Sequence, residues 1–158
     1  MAGGATPAIR TLEALGIRFE TRTYAYDPGA DRVGLQAAAA LGEPPARVLK
    51  TLVVDAGGTP VCAVLASDRE VAMKRLAAAA GAKAAAMMPV PAAERLTGYK
   101  VGGVSPFGQK RRLPTFVDAA ALDEPYVFVN GGARGLQVRL APVDLVTALG
   151  ANVVAIAG

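Results

Sequence analysis

The sequence has 158 residues, a length that suits one domain with a buried core of its own. It contains no histidine and a single cysteine, Cys62, which excludes Ser-His-Asp and Cys-His triads, histidine-based zinc sites and an internal disulfide. The net charge of +4 is compatible with a polyanionic partner, and a basic protein without such a partner fits it equally well. No apolar run of about 20 residues and no signal-peptide-like start are present, so we expect a cytoplasmic protein.

Helical and strand-like patterns alternate along the chain. Thr6 and Pro7 are typical of a helix N-terminus, and Gly57-Gly58 is typical of a hairpin turn between two apolar strands. We expect helices over residues 7–15, 34–41, 70–80, 91–96 and 142–149. We expect strands over residues 17–24, 48–55, 60–66, 115–118, 126–129 and 136–140. This mixture, with hairpins present, predicts an α+β fold with a mixed or antiparallel sheet rather than a doubly wound parallel sheet.

Two glycine-rich segments interrupt this pattern. The longer one spans residues 97–114 between expected strands, which is typical of a functional loop. Its central part, residues 102–108 (the first glycine loop), would let the backbone approach a ligand closely and bind an anion. Residues 130–135 (the second glycine loop) on their own fit an ordinary hairpin turn better than a ligand-binding loop. Neither segment has the spacing of a P-loop or of a Rossmann fingerprint.

Lys50 stands in an otherwise apolar strand. Its ammonium group either reaches water from an edge strand, or faces a cleft where it could bind a phosphate or polarise an ester carbonyl. Because the chain has no histidine, lysine is one of few side chains that could support catalysis. Lys110, Arg111 and Arg112 follow the first glycine loop, and they indicate either a solvated face or a contact to a phosphate backbone.

These features occur together in one known family. The sequence resembles the YbaK/EbsC family, the prolyl-tRNA-editing superfamily, whose best-known free-standing members are Cys-tRNA(Pro) deacylases. The resemblance covers nearly the whole chain, and the motif from Val101 to Lys110 is its most specific part. The other shared motifs are Thr6-Pro7-Ala8, Thr23-Tyr24, Val48-Leu49-Lys50-Thr51-Leu52, Thr97-Gly98-Tyr99, Arg112-Leu113-Pro114, Gly131-Gly132 and Arg134-Gly135-Leu136.

The resemblance implies a single deacylase domain over residues 1–158, with a curved, partly barrel-like mixed sheet and packed helices. It implies hydrolysis of the ester between a wrong amino acid, cysteine first, and tRNA(Pro). A deacylase for alanine or serine on tRNA, and a non-catalytic module that binds a nucleotide or a tRNA end, are the alternatives. Prolyl-tRNA synthetase is a further partner to test, whereas we expect no metal, cofactor, membrane or DNA.

The resemblance also implies site residues. The expected catalytic residues are Lys50, Tyr24, Gly103 and Ser105, with backbone N–H groups of both glycine loops around the oxyanion and water, a substrate thiol or a tRNA hydroxyl as nucleophile. The expected substrate-binding residues are Thr51, Gly102, Pro106, Phe107, Gly108, Gly131, Gly132 and Gln137. The expected contacts to tRNA phosphates are Lys110, Arg111 and Arg112. Many family members that act on Cys-tRNA have an aspartate where this chain has Gln137, which leaves the amino acid removed open to alanine and serine.

Overall fold

The structure is a computed structural model that describes residues 6–29 and 33–158. Its helices within these ranges, α1 to α5, are Pro7–Ala14, Val33–Leu41, Met73–Ala79, Val90–Thr97 and Pro142–Leu149. Its strands, β1 to β8, are Phe19–Thr23, Leu49–Ala56, Thr59–Ala66, Ala85–Met87, Thr115–Asp118, Val127–Asn130, Leu136–Leu140 and Asn152–Val154. The α+β class expected from the sequence is confirmed.

The strands form two sheets. The larger has the order β4-β2-β3-β5-β8, in which β2 is antiparallel to β3 and β4, and β5 is parallel to β3 and β8. The smaller is antiparallel with the order β1-β7-β6. An isolated parallel bridge between Val48 and Phe128 joins them. The strands of the described ranges therefore build an open, mixed arrangement, and the expected barrel-like sheet is not closed.

Local signals in the sequence set the start of α1 and the β2–β3 hairpin. The N–H of Ile9 donates to Thr6 Oγ1 at 3.1 Å, and Pro7 occupies the first helical position, where its missing N–H costs nothing. Gly57 and Gly58 have φ angles of +60° and +93°, which the two-residue hairpin requires. Thr6 Oγ1 also donates to the carbonyl of Gly131 at 2.6 Å, so the same residue fastens α1 to the second glycine loop.

The structure differs from the sequence-based prediction at α3, β4 and β8. Helix α3 begins at Met73 rather than at residue 70, because Val71 bridges to Ala157 and the N–H of Ala72 donates to Ile156 at 2.7 Å. These contacts hold the chain extended before the helix. Strands β4 and β8 have three residues each, too few for a periodic pattern, and their pairing partners are distant in sequence.

The largest buried cluster lies between the two sheets and beneath both glycine loops. It joins α1, both sheets and the segment 97–114, and its members include Ile9, Leu12, Leu49, Val64, Tyr99, Phe107, Val129, Leu136 and Val138. The hydroxyl of Tyr99 donates to the carbonyl of Phe107 at 2.6 Å inside this cluster. The first glycine loop is therefore anchored in the core. None of the helices in the two described ranges is both long enough and apolar enough to cross a bilayer.

Candidate active site

A cleft of about 220 Å³ opens where β2 and β6 diverge. The two strands approach each other at the Val48–Phe128 bridge, and β4 pairs with β2 only over Val54, Asp55 and Ala56. The part of β2 between these pairings turns an edge without a partner strand toward the cleft, as far as the described chain shows. The lining residues are Gly34, Leu49, Lys50, Thr51, Leu52, Val101, Gly102, Val104, Asn130 and Gln137.

Asn130 holds the two glycine loops together at one wall of the cleft. Its side-chain amide donates to the carbonyl of Gly102 at 3.2 Å. Its Oδ1 accepts from the N–H groups of Gly132 at 2.6 Å and Ala133 at 3.2 Å. Because one side chain bonds both loops, their relative position is set by the last residue of β6.

Close contacts make two glycines of the first loop necessary. A Cβ added at Gly103 would lie 2.9 Å from the backbone nitrogen of Arg134, so the two loops touch main chain to main chain. A Cβ added at Gly102 would lie 2.6 Å from the hydroxyl of Tyr26, and its φ of +88° itself favours glycine. The guanidinium of Arg134 lies 5.4 Å from the centre of the Tyr26 ring, and its Nε donates to the carbonyl of Val101 at 2.9 Å.

Lys50 is the charged residue of the cleft. It is partly buried, and the nine other residues that line the cleft in the described chain are neutral. A cation among apolar walls and amides attracts a ligand that carries, or develops, negative charge. The structure thus brings together four residues expected at the site, namely Lys50, Thr51, Gly102 and Gln137.

Three buried polar atoms lie at or beside this cleft without a hydrogen-bond partner in the described structure. They are Tyr24 Oη, Thr51 Oγ1 and Gln137 Oε1. Burial raises the pKa of Tyr24, as does the nearby Tyr26, and the adjacent Gln137 amide partly offsets the rise. Tyr24 therefore lies next to Gln137, although neither Tyr24 Oη nor Gln137 Oε1 has a hydrogen-bond partner among the described residues.

Several of the expected oxyanion donors of the glycine loops are engaged within the protein. The N–H of Gly103 donates to Lys100 at 2.8 Å, that of Gly131 donates to Leu136 at 2.9 Å, and that of Gly132 donates to Asn130. Ser105 is fully buried, outside the lining of the cleft, and its Oγ accepts from the N–H of Phe107 at 3.1 Å. These groups shape the loops around the cleft.

Three other expected binding residues face a separate cavity. Pro106, Phe107 and Gly108 line a space of about 270 Å³ together with Arg112. A Cβ at Gly108 would lie 2.5 Å from the carbonyl of Pro7, so this end of the loop packs on the start of α1. The sequence placed the whole first loop at one site, whereas the fold divides it between two faces.

The basic triplet Lys110, Arg111 and Arg112 lies outside the cleft. All three side chains are exposed, and the backbone N–H groups of Lys110 and Arg111 donate to the carbonyls of Thr97 and Leu96 at the end of α4. The other end of α4 borders an apolar trough of about 110 Å³ that is continuous with the cleft. The trough shares Thr51, Leu52, Val101 and Val104 with the cleft and adds Val53, Met87, Met88, Val90, Ala93 and Glu94.

Sequence reasoning missed Asn130 and Tyr26 as parts of this site. Asn130 was visible as the first residue of an Asn-Gly-Gly turn, but a turn does not reveal that its side chain reaches residue 102. Tyr26 lies in a segment distant in sequence from both glycine loops. Within residues 6–29 and 33–158, no three Cys, Asp or Glu side chains are grouped so that they could hold a metal ion.

The architecture matches solved structures over nearly its full length. The hypothetical protein APE2540 superposes with a TM-score of 0.83 at 26% identity, covering 96% of this chain and 99% of its own. A protein provisionally described as a trans-editing enzyme for prolyl tRNA synthetase superposes with a TM-score of 0.80 at 23% identity, covering 98% and 99%. The second similarity shows the fold alone.

The sequence comparisons show the family. A model of the aminoacyl-tRNA editing domain matches residues 27–148, and the chain belongs to that family. A relative from Enterococcus faecalis, provisionally named a Cys-tRNA(Pro)/Cys-tRNA(Cys) deacylase, EbsC, is 34% identical over 139 residues, which are 87% of this chain and 84% of that protein. The resemblance to the YbaK/EbsC family is thereby confirmed.

Proposed function

We propose that this protein is a trans-editing deacylase that hydrolyses the ester between a small non-cognate amino acid and the 3′ end of tRNA(Pro). The observation that carries the proposal is the position of Lys50, a cation in a cleft whose other described lining residues are neutral, beside the paired glycine loops. The family match and the deacylase name of the Enterococcus faecalis relative support it.

Lys50 would supply the electrostatic part of the reaction. A water molecule adds to the ester carbonyl, the carbonyl oxygen becomes negatively charged, and the ribose oxygen then leaves with a proton. A cation beside the developing oxyanion lowers this barrier, and the loss of one such donor costs about 10²–10³ in rate. The Tyr24 hydroxyl is protonated at neutral pH, as tyrosine ordinarily is, and burial raises its pKa further, so it is available as a donor.

The glycine loops would contribute shape in this proposal. With the N–H groups of Gly103, Gly131 and Gly132 already donated to protein acceptors, their role is to set the wall opposite Lys50. A wall at a fixed distance holds the ester in place. Correct positioning of reacting groups lowers an activation barrier by ~7–11 kcal/mol at most, and we expect this wall to contribute several kcal/mol of that reduction. Ser105 and Phe107 would support this wall from the core.

The end of the tRNA would continue from the cleft into the apolar trough. The trough offers Met87, Val90 and Val101 to a terminal nucleoside, and each of the three is about half exposed. Helix α4 leads from the trough to Lys110, Arg111 and Arg112, whose exposed cations suit the phosphates that follow. This path gives the basic triplet a role away from the chemical step.

The amino acid removed would be one of three small residues. Cysteine is supported by the name of the relative, and alanine and serine are the alternatives, since this chain has Gln137. Prolyl-tRNA synthetase is the further partner to test, by co-purification with this protein. The proposal treats residues 1–158 as one domain acting in the cytoplasm.

The test is a deacylation panel of Cys-, Ala- and Ser-tRNA(Pro) with the wild type, Lys50→Ala and Lys74→Ala. Lys74 is an exposed lysine on α3, away from the cleft, and is the matched control. We expect hydrolysis of at least one ester by the wild type and Lys74→Ala, and a loss of about 10²–10³ in rate for Lys50→Ala with unchanged thermal unfolding. Full activity of Lys50→Ala would refute its role. Binding of tRNA without hydrolysis by the wild type would identify a binding module instead.

A further inference from the structure

The side chain of Gln137, in the lining of the cleft, has a hydrogen-bond acceptor without a donor in the described structure. Gln137 is 4% exposed, on the central strand of the smaller sheet, where its neighbours are Arg22 on β1 and Asn130 on β6. The Asn130 side chain is hydrogen-bonded to both glycine loops, whereas no group in the described structure donates a hydrogen bond to Gln137 Oε1. An acceptor buried without a donor is costly, and such groups are uncommon in folded proteins.

Two further buried polar atoms also lack a hydrogen-bond partner in the described structure. Thr51 Oγ1 on β2 and Tyr24 Oη after β1 are buried and unpartnered. Thr51 and Gln137 both line the cleft, and Tyr24 lies against Gln137. Two unpartnered side chains from two strands that line one cleft, with a third beside them, are better explained by a ligand that satisfies them than by independent defects.

The chemistry of these atoms restricts the ligand group. An amide oxygen accepts only, whereas the two hydroxyls both accept and donate. Apart from Lys50, the described lining of the cleft carries no charge, so the group that these three atoms bind is a neutral polar one. A neutral hydroxyl group, which donates one hydrogen bond and accepts others, fits this set.

We propose that Gln137, with Thr51 and Tyr24, recognises the side-chain hydroxyl of the esterified amino acid, so that this protein removes serine in preference to alanine. The inference rests on the proposed deacylase function and names its substrate. Cysteine, whose S–H is a weak donor, takes an intermediate place. Alanine leaves all three polar atoms unsatisfied, and a site built to bind a hydroxyl discriminates strongly against a substrate that lacks it.

The experiment measures kcat/KM for Ser-, Cys- and Ala-tRNA(Pro) with the wild type and Gln137→Met. Methionine keeps the length and removes the acceptor. We expect the wild-type order serine, cysteine, alanine, and a fall of about ten- to a hundredfold in the serine-to-alanine ratio of kcat/KM in the variant. The ratio cancels any loss of folded protein, because both substrates meet the same preparation.

Other results would overturn the inference. They are a wild type that hydrolyses alanine as fast as serine, and a Gln137→Met variant that slows both esters equally, as expected if Gln137 only supports the strand. If Gln137→Met does not fold, Thr51→Val, which replaces the hydroxyl by a methyl group, must lower the same ratio. Failure of the deacylase proposal is distinguishable, because the wild type would then hydrolyse none of the three esters.

Discussion

The substitution Gly103→Ala tests whether contact between the glycine loops sets the active site. The φ angle of Gly103 lies outside the left-handed region, so alanine is allowed by the backbone and only the added methyl group matters. That Cβ would lie 2.9 Å from the nitrogen of Arg134 and 3.0 Å from the carbonyl carbon of Ala133. Ordinary contact begins at 3.4 Å, so the loops must separate by 3.4 − 2.9 = 0.5 Å.

The size of the effect follows from this displacement. Over-packing of this kind costs about 1–3 kcal/mol of folding free energy. A shift of about 1 Å in substrate position can cost about 10² in rate, so half that shift should lower kcat/KM about tenfold. The assay is deacylation of the best substrate in the panel, combined with thermal unfolding of the same preparation.

Gly16→Ala is the matched control. Gly16 has a φ of +68° after α1 and no atom within 4 Å of the added Cβ. Alanine there costs about 1–2 kcal/mol through backbone strain alone, with no effect at the cleft. We expect similar losses of stability in the two variants and a loss of kcat/KM only in Gly103→Ala. Equal activity of the two variants would refute the argument that loop contact positions the substrate.

Two further predictions concern buried titratable side chains. Burial raises the pKa of Cys62 to about 11, so its thiol should not react with Ellman's reagent at pH 8 until the protein is unfolded, and rapid reaction of the folded protein would contradict its placement. Burial raises the pKa of Tyr99 to about 12, so the unfolded chain loses this proton first and stability should fall as the pH rises above about 10. Tyr99→Phe should reduce this loss of stability at alkaline pH. At pH 7 it should cost about 1–3 kcal/mol of folding free energy, because the Phe107 carbonyl loses its hydrogen-bond donor. Urea titrations at pH 7 and above about pH 10 measure both effects.

Much of the fold could be predicted because its signals are local. The N-cap Thr6 with Pro7 and the glycine pair of the hairpin act within a few residues, and the structure has both features where the sequence predicts them. The predicted start of α3 was wrong, because the actual start depends on the pairing of Val71 with Ala157, 86 positions away. Strands as short as β4 exist only because a longer neighbour offers them an edge.

The candidate site, too, has features that could be predicted from the sequence and features that could not. Lys50 could be singled out from the sequence, because a charge in an apolar strand is costly unless it reaches a cleft or water. That Gly102 and Gly108 line different cavities could not be predicted, because the two belong to one continuous motif in the sequence. A motif records which residues occur together, and it does not record the direction in which each faces.

The sequence by itself determined the α+β class and the two glycine loops, because short-range patterns of turn, cap and periodicity encode them. It determined the family through motifs that resemble those of known members. Only the tertiary structure decided that Asn130 holds the loops together and that the N–H groups of Gly103, Gly131 and Gly132 are already paired. It also decided that Tyr24, Thr51 and Gln137 keep polar atoms without a partner among the described residues. The physical reason is that a hydrogen bond or its absence depends on groups from separate segments meeting within about 3 Å, and that distance is fixed by packing.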